Sequence, residues 1–212
     1  MDIVIAGGHG QIAMHLHPIL KERGHNVRGL IRKSDQKKDL QEAGALPVLV
    51  DIEKKEDISN EVGIADAIVF AAGAGAGSGK ERKWSVDRDG AIKLIEAAKK
   101  NGIKRYIMIS AMGLEIPRGD EVFQVYQQAK AQADEALRNS GLNYVILKPG
   151  RLTNEDGTGK VKIAEKLDSG EIPREDVAKV IAEVLENKNI ESAEFDLLSG
   201  EEEISEALQG IV

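Results

Sequence analysis

The stretch from Asp2 to Arg32, DIVIAGGHGQIAMHLHPILKERGHNVRGLIR, constrains this chain more than any other. It opens with Ile3-Val4-Ile5, an apolar run long enough only for a short buried strand. Gly7, Gly8 and Gly10 follow within four residues. Next comes an amphipathic helix, Gln11 to Glu22, with Ile12, Leu16, Ile19 and Leu20 on one face. Gly24 stops it, and Val27 to Ile31 reads as a second strand. Strand, glycine turn, helix, strand is the unit that seats a dinucleotide pyrophosphate on a helix N-terminus. Gly7 permits the tight reversal after the strand, and Gly10 lets the backbone approach the pyrophosphate with no Cβ in the way. His9, inside the turn, contributes backbone, and Gln11 and Ile12 open the helix. Ala13 is the third small position, where helix and sheet pack closely.

The alternation continues to the end of the chain and predicts an α/β fold with a doubly wound parallel sheet of about seven strands. The further strands are Ala45 to Val50, Ala67 to Ala72, Arg105 to Ser110, Asn143 to Leu147 and Ala193 to Leu198. Helices are expected near Asp39 to Glu42 and over Glu53 to Val62, Trp84 to Asn101, Asp120 to Ser140, Arg174 to Glu186 and Glu202 to Leu208. Lys160 to Lys166 is compatible with a short strand or one helical turn. At 212 residues the chain reads as one domain, 1–212, with residues 151–212 adding a small substrate-side region. A net charge of −7 argues against a nucleic-acid grip, which needs a basic face. The absence of cysteine excludes thiolate chemistry. No apolar run reaches membrane-spanning length and the N-terminus leads straight into a strand, so a cytoplasmic protein is expected.

Several residues stand at strand ends, where open α/β sheets bind ligands. Arg32 and Lys33, at the tip of the second strand, point to NADP: a base there meets the added ribose phosphate, whereas an acid meets the free hydroxyls of NAD. Asp35 lies close enough to keep NAD as the alternative. Asp51, followed by Ile52, either hydrogen-bonds the adenine amino group or caps the next helix, and both roles are compatible. Ala71, Ala72 and Gly73 are small enough for a cofactor to lie against the fourth strand. The glycine-rich Gly73 to Lys80 reads as a lid over the cofactor. It is not a P-loop, since position 74 is Ala and position 81 is Glu.

The catalytic candidate is Tyr126-Gln127-Gln128-Ala129-Lys130. Residues four apart on a helix are neighbours, and an ammonium beside a phenol lowers its pKa. Such a tyrosine can pass a proton to a carbonyl oxygen as hydride arrives. Ser110, at the end of the fifth strand, is placed to hydrogen-bond the same oxygen. Tyr144 and Lys148 have the same spacing on a strand, where they lie about 13 Å apart at roughly 3.3 Å per residue and cannot couple. The four histidines all lie in the first unit without ligand spacing, so no metal is expected.

With IAGGHGQIA (Ile5 to Ala13), LIRK (Leu30 to Lys33), VFAAG (Val69 to Gly73), Gly90 to Ser110, YQQAK and NYVILKPGRLTNEDGTG (Asn143 to Gly159) assembled, the chain resembles the atypical short-chain dehydrogenase/reductases. Its Gly7-x-x-Gly10-x-x-Ala13 spacing is theirs. Within them it is similar to small bacterial NAD(P)-binding proteins grouped with the NAD-dependent epimerase/dehydratases and, more distantly, to the biliverdin and flavin reductases. The resemblance implies a Rossmann fold, a nicotinamide cofactor along the strand ends and Tyr126-Lys130 at the catalytic position. It also implies that Lys130 bonds the nicotinamide ribose and that Pro149, Gly150 and Arg151 line the nicotinamide end. The expected activity is NADP-dependent hydride transfer to a small carbonyl, quinone or flavin. The alternatives are a non-catalytic NADP(H) sensor acting on a protein partner and a nucleotide-sugar epimerase or dehydratase. For the last, about sixty residues after Gly150 are few for a full substrate domain.

Overall fold

The computed structural model describes residues 1–75 and 77–211. Ala76, within the segment read as a lid, lies outside the described residues. The first unit forms as the sequence predicts: β1 (Asp2–Ala6), α1 (Gln11–Glu22) and β2 (Asn26–Ile31). Strand side chains alternate between faces. Ile3 and Ile5 therefore join a core with Leu16 and Leu20 of α1, while Val4 and Ala6 join the core on the opposite face.

The remaining strands are β3 (Leu46–Leu49), β4 (Ala67–Phe70), β5 (Arg105–Ile109), β6 (Asn143–Pro149), β7 (Arg151–Thr153), β8 (Lys160–Ala164), β9 (Glu171–Pro173), β10 (Ala193–Ser199) and β11 (Glu202–Glu203). Seven of them run parallel in the order β3-β2-β1-β4-β5-β6-β10. The strand order reverses direction between β1 and β4, which opens the crevice where ligands bind in such sheets. The sheet is wider than predicted, because β8 adds antiparallel to β10 and β11 antiparallel to β8. Residues Lys160–Ala164 are thus a strand, and the closing helix shrinks to α8 (Ile204–Ala207). β7 and β9 form a separate parallel pair.

The helices between these strands are α2 (Lys37–Glu42), α3 (Ser59–Val62), α4 (Lys80–Arg82), α5 (Ala91–Lys100), α6 (Glu121–Arg138) and α7 (Arg174–Glu186). Two differ from the prediction. The charged helix over Glu53 to Val62 is only the single turn α3. The Asp51 carboxylate accepts from Glu53 N (3.0 Å) and that of Asp57 from Ser59 N (2.9 Å), so side chains close turns that compete with helix. The predicted helix from Trp84 begins at α4, widens into a π-helical segment, Lys83–Gly90, and returns to α-geometry in α5. Single π-turns of this kind tend to sit at functional sites because they shift the register of the side chains beyond them.

Two buried polar side chains fix the backbone of loops, the first of them at the crevice. His17 is fully buried, and its Nε2 lies 2.7 Å from the Gly8 carbonyl oxygen. Burial lowers its pKa, so the ring is neutral and Nε2–H donates. Asp176, at the start of α7, is also fully buried and accepts from Thr158 N and Gly159 N, both at 2.9 Å, which fixes the loop after β7.

Asp176→Ala removes both acceptors and leaves two loop N–H groups unpaired; a loss of about 3 kcal/mol is expected in urea unfolding. For His17, the unfolded ring takes up a proton near pH 6.5 while the folded one resists it. Its contribution is therefore complete above that value and declines as pH falls, by up to about 1.4 kcal/mol per pH unit. His17→Gln keeps a donor that does not titrate, and its stability should fall less than the wild type's between pH 7.5 and 5.5.

Candidate active site

At the switch point a cavity of about 200 Å³ opens at the carboxyl ends of β1, β2 and β4. Of the residues named from sequence, Gly7, His9, Gly10, Arg32, Asp51, Ile52, Ala71, Ala72 and Gly73 line it. The turn is as compact as backbone allows. Gly7 has φ +78°, and a Cβ there would lie 2.6 Å from Ala72 Cα; one on Gly8 would lie 2.8 Å from Gly29 Cα. Gly10 caps α1 without a side-chain bond, and the first turn carries no acid. Gly10 N donates to the Gly7 carbonyl at 2.8 Å, so the N–H groups of the first turn, at Gln11 and Ile12, offer the positive helix end. A glycine cradle too tight for any Cβ beside an open helix N-terminus fits a dinucleotide pyrophosphate. The His9 side chain does more than the sequence reading gave it, reaching Asp39 of α2 at 2.7 Å.

The side of the cavity beyond β2 and β3 carries a charge cluster that sequence reading found only in part. Arg32 Nη1 lies 3.3 Å from Glu53 Oε1. Arg82 of α4 donates to the same carboxylate from Nη2 (2.7 Å) and Nε (3.2 Å), and Ser85 Oγ donates at 3.0 Å. The Arg82 hydrogen bonds hold the Glu53 carboxyl below its usual range. Glu53 and Arg82 also line the cavity. They are far apart in the chain and in no motif, so only the fold reveals them. Lys33 is exposed and outside the cavity, its N–H bonded to Gln36 Oε1 at 3.2 Å. Asp51 combines a place in the cavity wall with its turn-closing bond to Glu53 N.

The second half of the site stands on α6, β5 and the π-helical segment. Tyr126, Lys130 and Asp134 follow one another four residues apart on α6. The coupling expected between Tyr126 and Lys130 is not what the structure shows. Lys130 Nζ donates to the Ile109 carbonyl at 2.9 Å and sits 3.6 Å from Asp87 Oδ1. Loss of solvation is the main influence on the phenol, and Asp87 and Asp134 add negative charge, so its pKa moves up rather than down. Tyr126 is a phenol held protonated. Lys130 spends its charge on Asp87, the residue that sequence reading missed; the π-turn brings that carboxylate under the lid, where Oδ2 accepts from Ala74 N at 3.2 Å.

Ser110 is buried at the end of β5 and donates its hydroxyl hydrogen to Asp134 Oδ2 at 2.7 Å. Gln127, also buried, donates to the Gly113 carbonyl (3.1 Å) and accepts from Arg118 N (2.7 Å), which folds the loop after β5 against α6. Phe123 stacks on Tyr126 at 5.7 Å and is half exposed. Lys83 lies 5.4 Å over the Tyr126 ring and donates to the Gly75 carbonyl at 2.8 Å, tying the glycine-rich segment to the same aromatic pair. Pro149, Gly150 and Arg151 lie outside the cavity. Gly150 is pressed against the Gly170 backbone and Leu198, and the exposed Arg151 guanidinium pairs with Glu171. Among the described residues no three metal-ligating side chains converge, and no helix is long and apolar enough to cross a membrane.

Comparison with known proteins agrees with this geometry. The uncharacterized sugar epimerase YhfK of Bacillus subtilis is 42% identical over 99% of this chain and 99% of its own. A Bacillus halodurans structure, named provisionally as an NAD-dependent epimerase/dehydratase, superposes with a TM-score of 0.94 at 37% identity, covering 99% of both chains. The oxidoreductase YlbE of Lactococcus lactis superposes with a TM-score of 0.86 at 28% identity, covering 100% of this chain and 96% of that one. The model of the NAD(P)H-binding family matches residues 7–188. The chain therefore belongs to the NAD(P)H-binding family, with the Rossmann-type fold of the short-chain dehydrogenase/reductases that its glycine spacing resembles.

Proposed function

We propose that this protein is an NADP(H)-dependent oxidoreductase that delivers hydride to a small carbonyl, quinone or flavin. The observation that carries the reading is the continuity between the two halves of the site. Asp87 holds Ala74, a residue of the cofactor cavity wall, with one carboxylate oxygen and faces Lys130 with the other. The groups suited to proton chemistry are thus joined to the wall of that cavity. An oxidoreductase name on YlbE supports the same class.

The reduced nicotinamide supplies the hydride. The chain supplies everything else. Gly7, Gly10 and the first turn of α1 take the pyrophosphate. Arg32 and Arg82 outweigh Glu53 by one positive charge and favour a ribose phosphate, whereas the Glu53 carboxylate is the group a free ribose diol would use. Lys130 would bond the nicotinamide ribose. Ser110 holds the substrate oxygen, and Tyr126 gives it a proton. A phenol with a raised pKa remains loaded at every physiological pH, and it still yields its proton to an alkoxide, which is a far stronger base.

A second reading, a cofactor-binding sensor without turnover, draws on the neutralisation of Lys130 by Asp87. It predicts tight NADPH binding with no oxidation across a panel of diacetyl, menadione and flavin mononucleotide.

NADP should bind at least about tenfold tighter than NAD, and Arg32→Ala or Arg82→Ala should each weaken NADP by about ten- to a hundredfold with little effect on NAD. Equal affinities by calorimetry would assign the ribose end to Glu53 instead. Tyr126→Phe should lower kcat for diacetyl by about a hundredfold with NADPH affinity unchanged. Undiminished diacetyl turnover in that variant would remove Tyr126 as the acid, and turnover confined to flavin would point to hydride transfer that needs no acid.

A further inference from the structure

A serine hydroxyl carries one hydrogen, and its direction decides what the residue offers to a substrate oxygen. In Ser110 that hydrogen goes to Asp134 Oδ2, 2.7 Å away, and both side chains are buried. The other carboxylate oxygen, Oδ1, is buried with no hydrogen-bond partner among the described residues. An ionised carboxylate only accepts. It therefore keeps the Ser110 hydrogen turned toward α6, and Ser110 can then only accept from whatever lies at the end of β5. A protonated Asp134 has a hydrogen of its own. It can donate to Ser110 Oγ, and the serine hydrogen is then free to turn outward. A carbonyl oxygen that gains negative charge during reduction needs that outward donor.

We propose that Asp134 is a positioning residue that sets Ser110 as acceptor or donor, and that the form able to reduce a carbonyl carries a proton on Asp134. This rests on the reading of Ser110 as the residue that holds the substrate oxygen. No bond to Asp134 breaks in the cycle: hydride goes to the carbonyl carbon, the C=O electron pair goes to oxygen, Tyr126 protonates it, and Asp134 keeps its hydrogen.

The surroundings leave both forms of Asp134 within reach. Lys130 and Arg138 on α6 and Lys148 on β6 place positive charge around it, with Ser110 on β5 and Tyr126 on α6. Each of these cations already has another carboxylate partner. Lys130 faces Asp87 of the π-helical segment at 3.6 Å, while Lys148 (2.6 Å) and Arg138 (3.0 Å) both hold Glu194 of β10. Of the other charged residues of that segment, Arg88 is bonded to Asp89 and Gln132, and Lys83 lies over the Tyr126 ring and donates to the Gly75 carbonyl. Burial prevails over the divided attraction and pushes the Asp134 carboxyl up to about 6.

The test compares wild type, Asp134→Asn and Ser110→Ala. The Asp134 carboxyl is followed by carbon-13 NMR, assigned by its loss in Asp134→Asn. It should titrate near 6 in the wild type and about one pH unit higher in Ser110→Ala, where the bond to the charged form is gone. An unmoved titration overturns the proposal. In parallel, kcat/KM for diacetyl with NADPH is measured from pH 5.5 to 8. The wild type should fall about tenfold per pH unit above the Asp134 titration. Asp134→Asn, whose amide donates to Ser110 at every pH, should give a flat profile that exceeds the wild type at pH 8. A limb that persists in Asp134→Asn overturns the proposal. If no acceptor is reduced, the oxidoreductase reading fails on its own, and the NMR titration still decides whether Asp134 and Ser110 are coupled.

Discussion

The structure depends on how closely the first turn approaches its two neighbouring strands. Gly7 lies against the Ala72 backbone at the end of β4, and Gly8 against Gly29 in β2, at distances that leave no room for a methyl group. Gly8 N also donates to the Leu30 carbonyl at 2.9 Å. These contacts bring the ends of β1, β2 and β4 together around one crevice. His17 secures it from below. Because its ring is buried and neutral, its bond to the Gly8 carbonyl keeps the turn's polar backbone satisfied inside the core.

The other end of the crevice is governed by buried charge. Asp87, Lys130 and Asp134 are each at least 95% buried, an arrangement that desolvation penalises heavily unless the groups satisfy one another. They do so incompletely: Asp87 Oδ1 and Asp134 Oδ1 have no hydrogen-bond partner among the described residues. Polar atoms left unpaired in a core cost more than an apolar substitute of the same shape. This cluster decides the state of the catalytic candidates more than the Tyr126–Lys130 spacing does. A lysine alone would draw a phenol toward ionisation; a lysine balanced by Asp87 and flanked by Asp134 does not.

The sequence was most legible where one local rule governed. The glycine turn, the apolar strands and α7, entered through Pro173 and running over Arg174–Glu186, follow from periodicity and steric needs alone. The turn after β3 was misread because two aspartates compete with helix through their own side chains, an effect that helical periodicity does not register. The site was legible in its backbone parts and in Arg32, but not in Glu53, Arg82, Asp87 or Asp134. These residues acquire meaning only through contacts across the fold: 29 positions separate Glu53 from Arg82, and 24 separate Ser110 from Asp134. Asp134 did have a local signal. It continues the four-residue stripe of Tyr126 and Lys130, and a third polar residue on the buried face of an amphipathic helix needs a reason.

Two loops of the fold are held by different kinds of contact. On one side the loop after β7 is fixed by the buried Asp176 carboxylate, and the added strands β8 and β11 extend the sheet behind it. On the other, contacts of the glycine-rich segment and the start of α4 among the described residues include Lys83 to Gly75 and the Lys80–Glu121 pair, both on exposed surface. Exposed ion pairs contribute little to stability, whereas a buried carboxylate with two backbone donors contributes several times more. The glycine-rich side also carries the Ala74 N–H that Asp87 holds. The cavity wall at Ala74 and the charge that Lys130 meets beside Tyr126 are thus joined through a single carboxylate.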